Sequence, residues 1–200
     1  MVKKIVITGT GRAGTSFLVQ LLTYLGLDTG YTQDQLDLHA ISNAGLEQPN
    51  WEKESSPYIV KSPLIAESIH YTLATGAVEI DHILIPMRPL RHVSASRKRV
   101  SKLGGEGTPG GLDSGLSYQE QLNNHARQFF GLMMAIARYE IPHTLIEFPR
   151  LVLDCKYTYR QLLPVLEGVT YDQFSDSFAR LAKPEFIHFG SGAKPVADGD

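Results

Sequence analysis

The chain has 200 residues, of which 42% are hydrophobic and 20% are charged, as is typical of one globular α/β domain with a substantial core. Its formal net charge of −2 creates no global field that favours nucleic acid or an acidic membrane, so we expect neither as a partner. The single cysteine, Cys155, excludes an internal disulfide, and no apolar stretch is long enough for a signal peptide or a membrane span, so we expect a cytoplasmic protein.

A strand, a glycine-rich turn and a helix are predicted at the start of the chain. The apolar run of residues 5–7 is typical of a buried strand, and leucines at positions 18, 21, 22 and 25 have helical spacing, with Gly26 as the C-cap. Between them, residues 9–16 contain three glycines, one arginine and two adjacent hydroxyl side chains. Such a turn presents backbone N–H groups and the positive end of a helix dipole, so the pattern predicts a phosphate-binding loop.

The residues of this loop differ from the P-loop of nucleotide kinases. Gly9 and Gly14 have the kinase spacing, but Thr15 stands where a kinase has lysine. The segment from Arg12 to Phe17 resembles the 5′-phosphosulfate loop of the sulfotransferases, which has a Lys or Arg, a small residue, Gly, two hydroxyl residues and a bulky apolar residue. The residues that this resemblance assigns to the phosphosulfate are Gly11, Arg12, Ala13, Gly14, Thr15 and Ser16.

The segment from residue 27 to residue 50 leaves the first helix and must return to the sheet, so we expect it to cross the open end of the cleft. Residues 33–41 are predicted to form a helix, with Leu36 and Ala40 on its buried side. Four side chains of the segment are candidate proton acceptors, and each has a solvated loop position as its alternative. They are Asp34, Asp37, His39 and Glu47.

Two further predicted strands end in a cation. Residues 58–63 contain Lys61, and the following Ser62-Pro63 is typical of a helix start. Residues 82–88 end in Arg88 and open a basic stretch that reaches Lys102. Because open α/β sheets bind ligands at the carboxyl ends of their strands, both cations are candidates for contact with an anion.

Both cations have counterparts in the sulfotransferases. Lys61 resembles the lysine at the end of this strand, but Pro63 stands where several families have a catalytic histidine, so a histidine base at this position is excluded. Arg88 and Ser96 have the eight-residue separation of the pair that binds the 3′-phosphate in the family. Ser94 is the alternative to Ser96, because the proline of this turn falls one residue earlier than is usual in the family.

The second half of the chain is predicted to complete one domain that covers residues 1–200. Residues 103–116 form a mobile glycine-rich loop that is either a lid or a connection, and Ser117 begins a long helix with a capping box. A strand is predicted at 143–148, helices at 157–166 and 171–182, and a loose tail from about 184, in which Lys194 is a candidate for the 3′-phosphate. The core face of the long helix is expected to consist of Leu122, Ala126, Phe129, Phe130, Met133, Ile136 and Ala137.

The resemblance covers most of the chain in the right order and implies a fold and an activity. The fold is a three-layer α/β P-loop domain with a central parallel sheet of four to five strands. The activity is transfer of a sulfuryl group, without a metal, from 3′-phosphoadenosine-5′-phosphosulfate (PAPS) to a hydroxyl or amine of a small acceptor such as a carbohydrate or metabolite. Arg12 would bind the phosphosulfate, Lys61 would neutralise the leaving oxygen, and Glu47 or His39 would be the base.

Two other functions are consistent with a phosphate-binding loop. A P-loop kinase of small molecules or nucleotides needs the loop lysine and an acid after an apolar strand to organise Mg²⁺, and the predicted strands end in cations or an aromatic residue instead. A non-catalytic nucleotide-binding protein is consistent with the missing histidine, whereas Lys61 together with a base near the loop favours an enzyme.

Overall fold

The computed structural model describes residues 2–113 and 116–187. Within them, four strands form one parallel sheet in the order β2-β1-β3-β4, which confirms the expected α/β architecture with a parallel central sheet. The strands are β1 (Val2–Ile7), β2 (Ile59–Lys61), β3 (Val78–Met87) and β4 (His143–Glu147).

Helices of the described part lie between and after these strands. They are α1 (Thr15–Tyr24), α2 (Ile65–Ala74), α3 (Leu90–Gly104), α4 (Tyr118–Tyr139), α5 (Arg150–Leu153), α6 (Cys155–Leu162) and α7 (Tyr171–Leu181). Short 3₁₀ turns occur at Gln33–Gln35, Leu163–Val165 and Pro184–Phe186. Within residues 2–113 and 116–187, no helix is long and apolar enough to cross a membrane.

Helices cover both faces of the sheet. Successive side chains of a strand point to opposite sides, so neighbouring residues of β1 pack against different helices. Ile5 and Ile7 of β1 belong to a core shared with α1 and with helices α5 to α7. Val6, between them, belongs to a second core shared with α2 and α4. The chain leaves β1 towards β2 and returns past β1 to β3, so the carboxyl end of β1 is a topological switch point, where open α/β sheets bind ligands.

The buried face predicted for α4 is wrong at several positions. Phe130 is 67% exposed, and Ala126 and Ala137 are also exposed, whereas Ile136 is buried as expected. The fully buried residues of the helix are Gln121, His125, Leu132, Ala135 and Ile136. Apolar residues occur on more than one side of this helix, so their spacing does not determine its rotation. The first half of the helix instead buries polar side chains.

The chain also departs from the predicted elements in its connecting segments. The helix predicted at residues 33–41 is wrong, because this segment contains only the 3₁₀ turn at Gln33–Gln35, and the carbonyl of Leu36 accepts a hydrogen bond from the Gln20 side chain. Helix α3 continues to Gly104, so it includes the first two residues of the predicted glycine-rich loop at 103–116. Residues 114 and 115 of that loop lie outside the described part. Of the predicted tail, only the turn at Pro184–Phe186 and Ile187 are described, so Lys194 lies outside the described residues.

Candidate functional site

The loop between β1 and α1, called here the glycine loop (residues 8–14), adopts several left-handed backbone conformations. Gly9, Gly11 and Gly14 have φ angles of 146°, 71° and 92°, and Arg12 has a φ of 55°, which is uncommon for a residue with a side chain. Loops with such backbone conformations form concavities lined by N–H groups, and α1 begins directly after this loop with no acidic residue in its first turn. The arrangement favours an anion.

Gly14 is required by packing as well as by its backbone conformation. A Cβ atom at this position would lie 2.8 Å from Cδ2 of Leu151 and 3.3 Å from Cδ2 of Phe148. The start of α1 therefore packs directly against α5 and the end of β4. Ala13, beside it, is fully buried in the core and does not line the cleft.

The Arg12 side chain joins the glycine loop to two other segments. Its Nε donates to Oγ of Ser96 on α3 at 3.2 Å, and its Nη1 donates to the carbonyl oxygen of Ser42. Burial, followed by the nearby charges of Arg88, Arg97 and Arg99, lowers the pKa of Arg12 to about 10. The guanidinium remains charged at neutral pH, so the loop holds a cation whose solvation has been largely removed.

Lys61 ends β2 beneath the same loop and is almost completely buried. Its Nζ donates to Oγ of Ser16 at 3.3 Å, to the carbonyl of Gly45 at 2.8 Å and to Oε1 of Glu47. Burial lowers the pKa of Lys61, and the Glu47 carboxylate opposes that shift. The strand end thus places an ammonium group against the first turn of α1.

Residues 42–47, called here the strap, provide the acceptors for these donors. Ser42 accepts from Arg12 through its carbonyl, and the Gly45 carbonyl accepts from Oγ of Ser16 at 3.2 Å as well as from Lys61. The strap has positive φ angles at Asn43, Gly45 and Leu46 (50°, 143° and 66°). The strap therefore meets Arg12, Ser16 and Lys61 with a backbone that adopts several rarely populated conformations.

Two further arginines bind backbone carbonyls of the glycine loop. Arg88, at the end of β3, donates from Nη1 to the Arg12 carbonyl at 2.9 Å, and its guanidinium lies 4.9 Å from the centre of the Phe148 ring. Arg97, on α3, donates to the carbonyl of Thr10 at 3.4 Å and to that of Gly111 at 2.9 Å. Burial lowers the pKa of Arg88 to about 10 and also lowers that of Arg97.

These residues line one cleft of about 1370 Å³ at the carboxyl edge of the sheet. The cleft is bounded by the glycine loop, the strap, α3, the start of α4 and the last described residues. Its positively charged residues outnumber its acidic ones, although the whole chain has a net charge of −2. The cations are Arg12, Lys61, Arg88, Arg97, Arg99, Arg127, Arg180 and Lys183, and the acids are Asp37, Glu47, Glu67 and Asp113.

Most residues selected from the sequence meet in this cleft. The lining includes Gly11, Arg12, Gly14, Thr15, Ser16, Asp37, Glu47, Lys61, Arg88 and Ser96. His39 is exposed, its Nδ1 lies 3.2 Å from Oγ of Ser42, and it does not line the cleft. Asp34 is likewise exposed, in the 3₁₀ turn. Ser94 is completely buried and outside the lining, so Ser96 is the serine that faces Arg12.

Sequence reasoning missed Arg97 and His125, two residues of the cleft on which the site depends. Arg97 follows Ser96 directly, but the sequence does not reveal that it reaches the Thr10 carbonyl, since neighbours on a helix point in different directions. His125, on α4, lies in the cleft wall although it falls within a helix whose apolar residues suggested core packing. The available signal was the helical spacing of Gln121, His125 and Gln128, three polar residues on one side of α4.

Among the residues that the structure describes, no group of three or more His, Cys, Asp or Glu side chains is arranged to hold a metal ion. Comparison with family models and with curated proteins gives no match for this chain.

Proposed function

We propose that the protein is a sulfotransferase, which transfers the sulfuryl group of PAPS to a hydroxyl or amine of a small-molecule acceptor. The observation that carries the proposal is the direct connection between two groups of anion-binding side chains. Oγ of Ser96 accepts from Arg12, and Arg88 donates to the Arg12 carbonyl. A nucleotide with phosphates on both its 5′ and 3′ positions needs two anion sites that share one wall, and the resemblance assigns these residues to them.

The charge of the cleft supports a ligand with several negative charges. Arg12, Arg88 and Arg97 converge on the glycine loop from three elements, and Lys61 lies below it. Lys61 and Arg88 are buried and Arg12 and Arg97 are partly buried, so their interactions with an anion are screened less than on an exposed surface. An arginine suits a phosphate or sulfate group in particular, because its planar fork donates hydrogen bonds in pairs.

Each residue of the site would have a separate role in sulfuryl transfer. The N–H groups of the glycine loop and the Arg12 guanidinium would bind the oxygens of the phosphosulfate, with Thr15 and Ser16 donating hydroxyl hydrogen bonds. Lys61, beside Ser16, would stabilise the negative charge that develops on the bridging oxygen as it leaves. Such a transfer depends mainly on positioning and charge stabilisation, which is what a rigid loop surrounded by cations provides.

The strand ends distinguish this proposal from a P-loop kinase. In a kinase of that class an acid after an apolar strand organises Mg²⁺. Here β2 ends at Lys61 and β3 ends immediately before Arg88. β4 ends at Glu147, but this acid does not line the cleft, and the next residue, Phe148, packs against Arg88. We propose PAPS as the donor, a metal-independent reaction, and a carbohydrate or another metabolite of the cytoplasm as the acceptor.

Calorimetry with three nucleotides tests the proposal. We expect adenosine 3′,5′-bisphosphate to bind more tightly than adenosine 5′-monophosphate, which lacks the 3′-phosphate, and more tightly than ATP with or without Mg²⁺. Arg88→Gln should remove the preference for the bisphosphate, whereas Arg138→Gln, at an exposed position of α4, should leave it unchanged. Tighter binding of ATP that depends on Mg²⁺ would instead support a kinase and refute the proposal.

A further inference from the structure

We propose that His125 takes the proton of the acceptor group, and that Glu67 and Gln128 fix the tautomer in which it does so. This inference rests on the proposed function and assigns its missing base. It places that base on α4, a helix from which the sequence supplied no candidate.

A chain of hydrogen bonds determines which nitrogen of His125 carries the proton. Nε2 of Gln128 donates to Oε1 of Glu67 at 2.5 Å, so the amide nitrogen faces α2 and the amide oxygen faces the other way. That oxygen, Oε1 of Gln128, lies 3.3 Å from Nδ1 of His125. Since a carboxylate and an amide oxygen can only accept hydrogen bonds, Nδ1 must be the donor and carry the hydrogen.

The other ring nitrogen is then an unprotonated acceptor. Nε2 of His125 is buried and has no hydrogen-bond partner among the described residues, and the whole side chain is only 1% exposed. A buried acceptor without a partner is unfavourable, so an O–H or N–H group that reaches this atom would satisfy it. All three members of the chain, Glu67, Gln128 and His125, line the cleft that also contains Lys61 and the glycine loop.

The surroundings keep the imidazole in its basic form. Burial lowers the pKa of His125 below its ordinary value of 6.5, and the positive charge of Arg97 on α3 lowers it further. The Asp113 carboxylate and the hydrogen bond to Gln128 act in the opposite direction and are the weaker influences. The side chain is therefore neutral at neutral pH, as a proton acceptor has to be.

The position of this group also fits the reaction. Pro63, where the resemblance would place a histidine, lines the same cleft and lies four residues before Glu67, to which the hydrogen-bond chain leads. In the transfer step the acceptor O–H or N–H bond breaks and its proton passes to Nε2. The acceptor atom forms the new bond to sulfur, and the bond between sulfur and the bridging oxygen breaks. Its electron pair stays on the phosphate, beside Lys61.

In the structure described here, the acceptor group must displace the residues that cover Nε2. Asp113 lies at this end of the cleft, where its carbonyl accepts from Nε2 of Gln121, one helical turn before His125. Asp113 is therefore a residue that we expect to move when an acceptor reaches Nε2.

Nuclear magnetic resonance tests the tautomer in the wild-type protein without any ligand. Two-bond ¹⁵N–¹H spectra of uniformly ¹⁵N-labelled protein near neutral pH, assigned with His125→Gln, should show a neutral ring protonated on Nδ1. Gln128→Leu removes the acceptor of that proton and should allow the alternative tautomer to appear. A wild-type ring with its proton on Nε2 would overturn the inference.

Release of sulfate from ³⁵S-labelled PAPS, with water as the acceptor, tests the catalytic role. His125→Gln should lower the rate about a hundredfold while its affinity for adenosine 3′,5′-bisphosphate stays that of the wild type. His143→Gln, at an exposed position on the opposite edge of the sheet, is the matched control and should have no effect. An unchanged rate in His125→Gln, or a rate lost together with affinity and melting temperature, overturns the role as base.

The two proposals fail in different ways. If the wild-type protein binds the bisphosphate and releases sulfate while His125→Gln does so equally well, only the assignment of the base is refuted. If the wild type does neither, the proposed function is refuted and the role as base with it, whatever the tautomer of His125.

Discussion

The Nζ atom of Lys61 donates to the carbonyl oxygen of Gly45 at 2.8 Å, so the buried cation of the site is bound to the strap rather than to solvent. The same strap accepts hydrogen bonds from Arg12 and Ser16, and its Glu47 carboxylate pairs with Lys61. Arg12, Ser16 and Lys61, which are proposed to bind the phosphosulfate, thus already donate to oxygen atoms. A bound anion must compete with these oxygens, and Glu47 is the charged one among them.

Replacement of Glu47 tests that competition. Glu47→Gln removes the negative charge next to Lys61, so we expect adenosine 3′,5′-bisphosphate to bind about tenfold more tightly, which corresponds to about 1.4 kcal/mol. Calorimetry at low ionic strength measures the change, and Glu79→Gln, at a partly exposed acid near the start of β3, is the control. Weaker binding in Glu47→Gln would mean that the carboxylate helps to hold the ligand.

The same variant separates the two candidates for the base. If Glu47 were the base, Glu47→Gln would release sulfate from PAPS slowly, whereas a His125 base predicts a rate close to that of the wild type at saturating PAPS. His39→Asn should also retain its rate, because His39 is exposed and does not line the cleft. A low rate in Glu47→Gln together with a normal rate in His125→Gln would assign the proton to Glu47.

Arg12 provides the most direct test of the glycine loop. Arg12→Ala should lower the rate of sulfate release by about a hundredfold or more, equivalent to about 3 kcal/mol, because a buried donor to a developing anion is lost. The fold should persist, since alanine can occupy the same backbone conformation and the lost side-chain hydrogen bonds lie at the edge of the cleft. A melting curve checks the fold. If the variant melts normally and releases sulfate at the wild-type rate, Arg12 does not contribute to the site.

Alanine substitutions at Gly14 and Gly131 are expected to change the free energy of unfolding in opposite directions. Gly14→Ala places a Cβ atom 2.8 Å from Leu151 at a φ of 92°, so we expect a loss of about 2 kcal/mol in the free energy of unfolding. Gly131→Ala lies in α4, where an added Cβ has no neighbour within 4 Å, and should stabilise the protein by about 1 kcal/mol through helix propensity. Urea denaturation of both variants measures the two changes, and equal stabilities would contradict the packing of α1 against α5.

Local patterns predicted those features of the fold that depend on neighbours in sequence. The buried run of β1, the glycine loop and the cations at the ends of β2 and β3 follow from residue types a few positions apart. Because parallel strands end at the same edge, the meeting of Lys61 and Arg88 with the glycine loop could be expected before the sheet order was known.

What the sequence did not reveal depends on how distant elements are rotated and placed. His125 and Arg97 reach the cleft because α4 and α3 turn those sides inwards, and the mixed apolar and polar faces of α4 leave that rotation open. The path of the strap depends on positive φ angles at Asn43 and Leu46, which no local propensity favours for leucine. The pairing of Glu47 with Lys61 follows from that path.

Stability should fall as the pH is lowered below the ordinary histidine pKa. The pKa values of His82 and His125 are both lowered in the folded protein, mainly by burial, with a further contribution from His143 and Arg97 respectively. In the unfolded chain these side chains titrate near 6.5, so between that pH and the lower folded pKa the unfolded state binds more protons. The free energy of unfolding therefore increases with pH in that window and is independent of these two groups above it.

Urea denaturation between about pH 5.5 and about pH 7.5 measures this dependence, in a range above that in which most carboxylates titrate. We expect the wild type to lose stability towards the acidic end, and His125→Gln and His82→Gln each to show a shallower dependence. The double variant should be shallower than either single variant, because the two rings lie on different elements and titrate separately. A dependence that is equally steep in the wild type and the double variant would show that other groups cause it.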